Sequence, residues 1–153
     1  MARVTRRRTI AAPVGEVWEL VSDPYSLPRW WPKVARVESV DRKPEGKRSQ
    51  WTKVLETAEG RGVRADYRCL SSAEGERYVW EQQLADSPFE RHLRRSMVEI
   101  GLRGDVAGTE VSLTSEQKLR GMSRLGAPLM RGGQGKILDE ALDGLERALG
   151  GTK

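Results

Sequence analysis

The chain has 153 residues, a net charge of +5, a hydrophobic fraction of 37% and a charged fraction of 32%. This length suits one domain, which we expect to span residues 1–153 and to bury about two-thirds of its unfolded surface. No apolar run approaches the ~20 residues that span a bilayer, and residues 1–13 lack the apolar segment of a signal peptide. The single cysteine, Cys69, excludes an internal disulfide, so we expect a cytoplasmic protein.

The positive charge comes mainly from arginines, which outnumber the lysines. They are scattered along the chain and interleaved with Glu and Asp, without the exposed aromatic residues that a nucleic-acid stacking surface requires. This pattern predicts a solvated sheet face with charge pairs between strands. A partner bound through this basic surface remains the weaker alternative.

The first part of the chain predicts a strand followed by short helices. Residues 3–10 alternate weakly and indicate strand 1, with Arg6 and Arg8 directed toward water or an edge. After Pro13, apolar residues recur at helical spacing as far as Ser22, and the proline after Asp23 ends that helix. The proline-rich connection that follows predicts a brief helix or turn. Its two tryptophans either close one end of the core or provide one wall of an entrance; they are Trp30 and Trp31.

From residue 34 onward the apolar pattern changes to a period of two, which is typical of strands. Six further strands are predicted at residues 34–40, 48–56, 63–69, 78–84, 95–103 and 110–119. The turns between them are short, at residues 43–47, 59–62, 72–75, 86–88 and 105–108. Consecutive strands with short turns predict an antiparallel meander with one face in water.

The last predicted element is a helix from Pro128 to Leu149. Its apolar residues recur at spacings of four, three and four, which places one stripe on the sheet; they are Leu138, Leu142, Leu145 and Leu149. Gly150 and Gly151 are suited to end it. Three glycines interrupt its first half, either because the helix frays or packs closely there or because space is left for a ligand; they are Gly132, Gly133 and Gly135.

This order of elements resembles the START-like (SRPBCC) superfamily, and within it the polyketide cyclase/dehydrase and lipid-transport group. The resemblance rests on TIAAPVGEVWELVSDPYSLPRWWPKVARVESV near the start and on GTEVSL before the terminal helix. It covers essentially the whole chain. It implies an α+β helix-grip fold, in which a curved antiparallel seven-stranded sheet wraps around a long C-terminal helix, with two short helices between strands 1 and 2. It also implies a deep cavity between the sheet and that helix.

Strand parity, combined with the resemblance, predicts which side chains contact a ligand. Most are apolar and a few carry a hydroxyl or amide, which suits a hydrophobic, sparsely polar molecule. Alternatively, the same side chains simply fill the interior. The predicted ligand-binding residues are Trp30, Trp51, Tyr67, Cys69, Tyr78, Trp80, Gln82, Ser96, Val98, Ile100, Val111, Leu113, Ser115, Leu129, Met130, Gly133 and Ile137.

The sequence predicts no catalytic residues, metal or cofactor. His92 and Cys69 alone do not make a metal site, and His92 lies near a turn, where we expect it at an exposed rim. The aromatase/cyclases of the group are described with an arginine and a serine on the fourth strand. The matching positions here hold Leu70 and Arg68, and parity directs Arg68 outward.

These observations favour a protein that binds or carries a lipid or a polyketide-like molecule. The alternative is an aromatase/cyclase-type enzyme in which Tyr67, Tyr78, Ser96 and Gln82 orient a poly-ketone chain. We expect a hydrophobic small molecule as the partner, no nucleic acid, no stable membrane insertion, and a monomer or homodimer.

Overall fold

A computed structural model describes residues 2–41, 49–56, 62–87, 89–120 and 127–149, the side chains of residues 56 and 127–131 excepted. The helices are α1 (Val14–Val21), α2 (Leu27–Trp30) and α3 (Ala127–Ala148), with a 3-10 turn at Pro24–Ser26. The strands are β1 (Ala2–Ile10), β2 (Val34–Asp41), β3 (Gln50–Glu56), β4 (Gly62–Ala73), β5 (Arg77–Gln83), β6 (Leu93–Asp105) and β7 (Gly108–Leu119).

The strands form one antiparallel sheet in the order β1-β7-β6-β5-β4-β3-β2. Strands β2 to β7 therefore make a meander, and β1 joins it beside β7, with Ile10 opposite Thr109. Gly108 opens β7 with a φ of +137°, and a Cβ there would collide with the carbonyl oxygen of Ile10. The predicted seven-stranded antiparallel sheet with short helices between strands 1 and 2 is confirmed.

The predicted and observed element boundaries differ mostly at the ends of strands. Strands β4, β6 and β7 are longer than the sequence pattern indicates, because the ladder continues through polar residues such as Ser71 and Ser72 near the end of β4. The predicted turn at 43–47, most of the turn at 59–62, and Gly150 and Gly151 lie outside the described residues.

Helix α3 packs on the sheet through the predicted leucine stripe. Leu138, Leu142 and Leu145 are at most 1% exposed, and so is Ala141 between them. Leu149 is only partly buried and packs at the margin of the core. Burial of one leucine side chain is worth about 2 kcal/mol, so this stripe is sufficient to fix the helix on the sheet.

Two arginines of β1 bind the acidic side of α3. Arg8 donates to Asp143 Oδ1 at 2.5 Å and to Glu146 Oε1 at 2.6 Å, and Arg6 lies 3.5 Å from Asp139. The hydrogen bond to Asp143 raises the pKa of Arg8. We expected Arg6 and Arg8 to face water or an edge; they do lie on the edge strand, but α3 places its carboxylates within their reach.

The outer face of the sheet carries the charge pairs that the scattered arginines predicted. Glu81 on β5 accepts from Arg68 at 3.3 Å and from Arg95 at 3.2 Å. Arg77 pairs with Glu99 at 2.8 Å and holds the pKa of that carboxyl below its usual range. Exposed pairs of this kind stabilise a fold by less than about 1 kcal/mol each, and they neutralise much of the positive charge of this face.

Candidate functional site

A cavity of about 540 Å³ lies between the inner face of the sheet and the first half of α3. This volume is within the range of about 300–1,000 Å³ that is usual for small-molecule sites. The cavity is lined by Trp31, Pro32, Lys33, Lys53, Leu55, Tyr67, Trp80, Gln82, Phe89, Leu93, Ser96, Val98, Ser115, Gln117, Gly133, Gln134, Lys136, Ile137 and Glu140.

The structure divides the residues that parity predicted for this site into three groups. Eight of them line the cavity, namely Tyr67, Trp80, Gln82, Ser96, Val98, Ser115, Gly133 and Ile137. Seven are buried in the core and do not line it, namely Trp30, Trp51, Cys69, Tyr78, Ile100, Val111 and Leu113. The side chains of Leu129 and Met130 lie outside the described residues.

Parity identified the correct face of each strand, but the cavity occupies only one end of that face. Toward the other end, inward side chains meet helix α1 and fill the space: Tyr78 packs its ring 6.0 Å from that of Trp18. Ile100 and Leu113 are fully buried in the same cluster. Both interpretations of the inward side chains therefore apply: they fill the core at one end of the sheet and line a cavity at the other.

The two neighbouring tryptophans after α1 have different positions. Trp30 is 2% exposed and belongs to the core, whereas Trp31 lines the cavity. Their rings meet edge to face at 5.4 Å, and Trp31 also meets Trp80 at 5.2 Å. Buried aromatic pairs of this geometry add about 1 kcal/mol each, so the wall formed by Trp31 and Trp80 is backed by a rigid core.

Lys53 is the unusual residue of the cavity wall. It is only 2% exposed, and its amine lies 4.1 Å from the ring centre of Tyr67, 4.5 Å from that of Trp80 and 4.9 Å from that of Trp31. No hydrogen bond or ion pair joins this amine to any residue in the described part of the chain. Lysine is almost never fully buried without such a partner.

Burial changes the acid–base properties of two cavity residues. It lowers the pKa of Lys53 to about 7 and raises the pKa of the Tyr67 phenol, because a charge on either group would have to leave water. The aromatic rings around Lys53 attract its charged form through cation–π interactions. The amine can therefore gain or lose a proton close to neutral pH.

The remaining polar groups are partly paired with one another. Ser115 Oγ donates to Gln134 Oε1 at 2.7 Å, which connects β7 to α3 across the cavity. Gln117 Nε2 donates to Ser96 Oγ at 3.1 Å, while Gln117 Oε1 is buried and has no hydrogen-bond partner among the described residues. An orphaned buried acceptor and an unpaired buried amine are the polar features that a bound molecule could satisfy.

Sequence reasoning did not select Lys53, Gln117 or Gln134 for this site, although each has a signal in the sequence. Lys53 alternates with Trp51 and Leu55 on β3, so it shares their inward face. Gln117 follows Ser115 at the strand spacing of two on β7, and Gln134 lies one helical turn before Ile137. Polar side chains usually stay in water, yet Lys53 and Gln117 are buried here and Gln134 is half-buried.

The three glycines of α3 differ in their surroundings. A Cβ added at Gly132 or Gly133 would meet no atom within 4 Å, and Gly133 lines the cavity. A Cβ at Gly135 would collide with the guanidinium of Arg6. Both predicted explanations are thus present: open space at Gly132 and Gly133, and close packing at Gly135.

The residues considered for catalysis are dispersed. Arg68 points outward and pairs with Glu81, and His92 is exposed in the turn before β6. Within the described ranges, no three His, Cys, Asp or Glu side chains converge as metal ligands. Each helix in the described part of the chain is too short or too polar to span a bilayer.

A sheet wrapped around a C-terminal helix, with a cavity between them, is a helix-grip fold. The family model for polyketide cyclase / dehydrase and lipid transport matches residues 1–150. The chain therefore belongs to this family, as the resemblance predicted. A search of curated proteins finds no match.

Solved structures show the same fold at low sequence identity. A START superfamily protein from Mycobacterium smegmatis is 17% identical with a TM-score of 0.78, and 97% of each chain is covered. A protein from Thermus thermophilus is 23% identical with a TM-score of 0.74, and 96% of each chain is covered. StfQ, a di-domain ARO/CYC from the steffimycin biosynthetic pathway, is 12% identical with a TM-score of 0.78; the match covers 97% of this chain and 50% of StfQ.

Proposed function

We propose that the protein binds a hydrophobic small molecule, a lipid or a polyketide-like compound, in the cavity beneath α3 and carries it unchanged. The observation that most supports this proposal is the cavity of about 540 Å³. Protein interiors are normally close-packed, so an open space of this size favours a binding site over a filled core. Its walls combine aromatic and aliphatic side chains with a few amides and hydroxyls, the composition typical of small-molecule sites.

Two adjacent glycines permit a direct test of this site. Gly132 and Gly133 are both exposed, and a Cβ added at either meets no atom within 4 Å, but only Gly133 lines the cavity. Leucine at either position should stabilise the helix equally, by about 0.5–1 kcal/mol. We expect Gly133→Leu to weaken the binding of dodecanol by about tenfold or more, because its side chain enters the cavity.

The matched variant Gly132→Leu should bind dodecanol as the wild type does. Calorimetric titration measures both affinities, and a urea unfolding curve verifies that the two variants are equally stable. Equal affinity in all three proteins would contradict binding in this cavity, and so would the absence of any binding to the wild type.

A cyclase-type activity is the second candidate. It is supported by the family description, which includes polyketide cyclases, and by the fold likeness to StfQ, an ARO/CYC. Tyr67, Ser96 and Gln82 line the cavity and can hydrogen-bond to ketones, whereas Tyr78 lies in the core. Adding the protein to a polyketide-forming system should then change the product distribution, and an unchanged distribution would exclude this role.

A further inference from the structure

We propose that the ligand carries a carboxylate on an apolar body, and that this carboxylate binds the amine of Lys53 inside the cavity. This inference rests on the proposed binding function and identifies the chemical class of its ligand. It starts from the one buried amine of the cavity wall, whose position between three aromatic rings leaves no acidic partner in the described residues.

An unpaired ammonium group is costly in an apolar site, and its cost falls when an anion binds beside it. The rings of Trp31, Tyr67 and Trp80 surround the Lys53 amine at 4.1–4.9 Å, which favours the protonated amine. They offer it no hydrogen-bond acceptor of the strength of a carboxylate. A ligand carboxylate would supply both the missing negative charge and the missing acceptor.

The charges around the cavity support the same ligand class. The described lining residues include three lysines, Lys33, Lys53 and Lys136, against one carboxylate, Glu140. Lys33 and Lys136 are exposed, whereas Lys53 is buried. An approaching anion is therefore attracted by the exposed lysines first and meets the buried amine inside.

The test compares acids with neutral analogues of the same shape. Dodecanoic acid is titrated against dodecanol and methyl dodecanoate, with wild type, Lys53→Met and Lys136→Met. We expect the wild type to bind the acid more tightly than either neutral probe, and Lys53→Met to lose at least about thirtyfold in affinity for the acid alone. Lys136→Met, at an exposed position, should lose only a few-fold, and that loss should disappear in high salt.

A naphthoic acid and its methyl ester form a second pair of probes. An acid preference in the dodecanoic pair indicates an acyl chain as the apolar body, and one in the naphthoic pair indicates a fused-ring body. In both cases the preference should be absent from Lys53→Met. Retained binding of the neutral probes by that variant verifies that its cavity is intact.

Proton uptake gives a readout that a purely structural lysine would not produce. At about pH 8, binding of the acid should draw nearly one proton onto the wild type, measured by calorimetry in two buffers of different ionisation enthalpy. Among the described residues that line the cavity, the other titratable or charged groups are Tyr67, Lys33, Lys136 and Glu140. All four are retained in Lys53→Met, so the difference between the two proteins isolates the uptake by Lys53.

The possible results separate this inference from the proposed function. If acids and neutral probes bind equally and Lys53→Met changes neither, the carboxylate proposal is overturned while the binding function stands. If no probe binds the wild type, both are overturned. Tighter binding of acids than of neutral probes by the wild type, with the acid preference and the proton uptake both lost in Lys53→Met, supports both.

Discussion

Lys53 is the residue at which stability and the proposed function conflict most clearly. The unfolded chain has a lysine pKa of 10.5, and burial lowers it to about 7 in the folded protein. Between these values the unfolded state binds more protons than the folded state, so the free energy of unfolding rises with pH. A buried amine with no acidic partner therefore costs stability at neutral pH and below.

The variant Lys53→Met should remove this cost. Methionine is a flexible apolar side chain of similar length, so we expect a gain on the order of 2–4 kcal/mol at neutral pH after the loss of the cation–π contacts. The gain should shrink toward zero as the pH rises from about 7 to about 10. Urea unfolding of both proteins across this range measures it, and a difference that does not vary with pH would contradict the assigned burial.

The sequence pattern of β3 predicts that Lys53 faces inward, but it does not predict that Lys53 is buried. Alternation placed it inward with Trp51 and Leu55, whereas its residue type argued for water. Which of these prevails depends on whether neighbouring elements cover the position. Here Trp31 and Tyr67, from other elements, enclose the amine, and no local pattern reports such a contact.

At the scale of elements, the contact between α2 and α3 depends on Gly144. A Cβ at this position would collide with the carbonyl oxygen of Trp30, the last residue of α2, and a backbone atom cannot move aside as a side chain can. Because Trp31 follows directly and lines the cavity, this close approach also fixes one cavity wall.

We therefore expect Gly144→Ala to destabilise the protein by about 1–3 kcal/mol through overpacking. The matched variant Gly132→Ala meets no atom within 4 Å and should gain about 0.5–1 kcal/mol from helix propensity. Chemical unfolding of the two variants compares them directly. A Gly144→Ala protein as stable as Gly132→Ala would show that the helices are not held at this distance.

The elements with strong periodicity were predicted well, since their signals are local. The leucine stripe of α3 and the alternation in β7 were both confirmed. The pairing of Arg8 with Asp143 was missed, because it joins residues at opposite ends of the chain. Likewise, Gly144 was not singled out, because nothing in its sequence neighbourhood indicates that α2 lies against it.

At the scale of the whole molecule, the order of elements and the resemblance together predicted the helix-grip fold. They could not predict the extent of the cavity, since that depends on which inward side chains meet and which leave a gap. Tyr78 and Ile100 share the inward face with Trp80 and Ser96, yet only the latter pair lines the cavity. The difference arises from packing against α1 at one end and from the glycine-rich half of α3 at the other.

The most direct test of the account is native mass spectrometry of the protein purified from its own source, followed by denaturation and identification of the released molecule. The account predicts a complex with one hydrophobic small molecule per chain, with a carboxylate on that molecule if Lys53 acts as proposed. A mass without ligand that persists after incubation with mixed lipids, fatty acids and polyketides would contradict a binding function for the cavity.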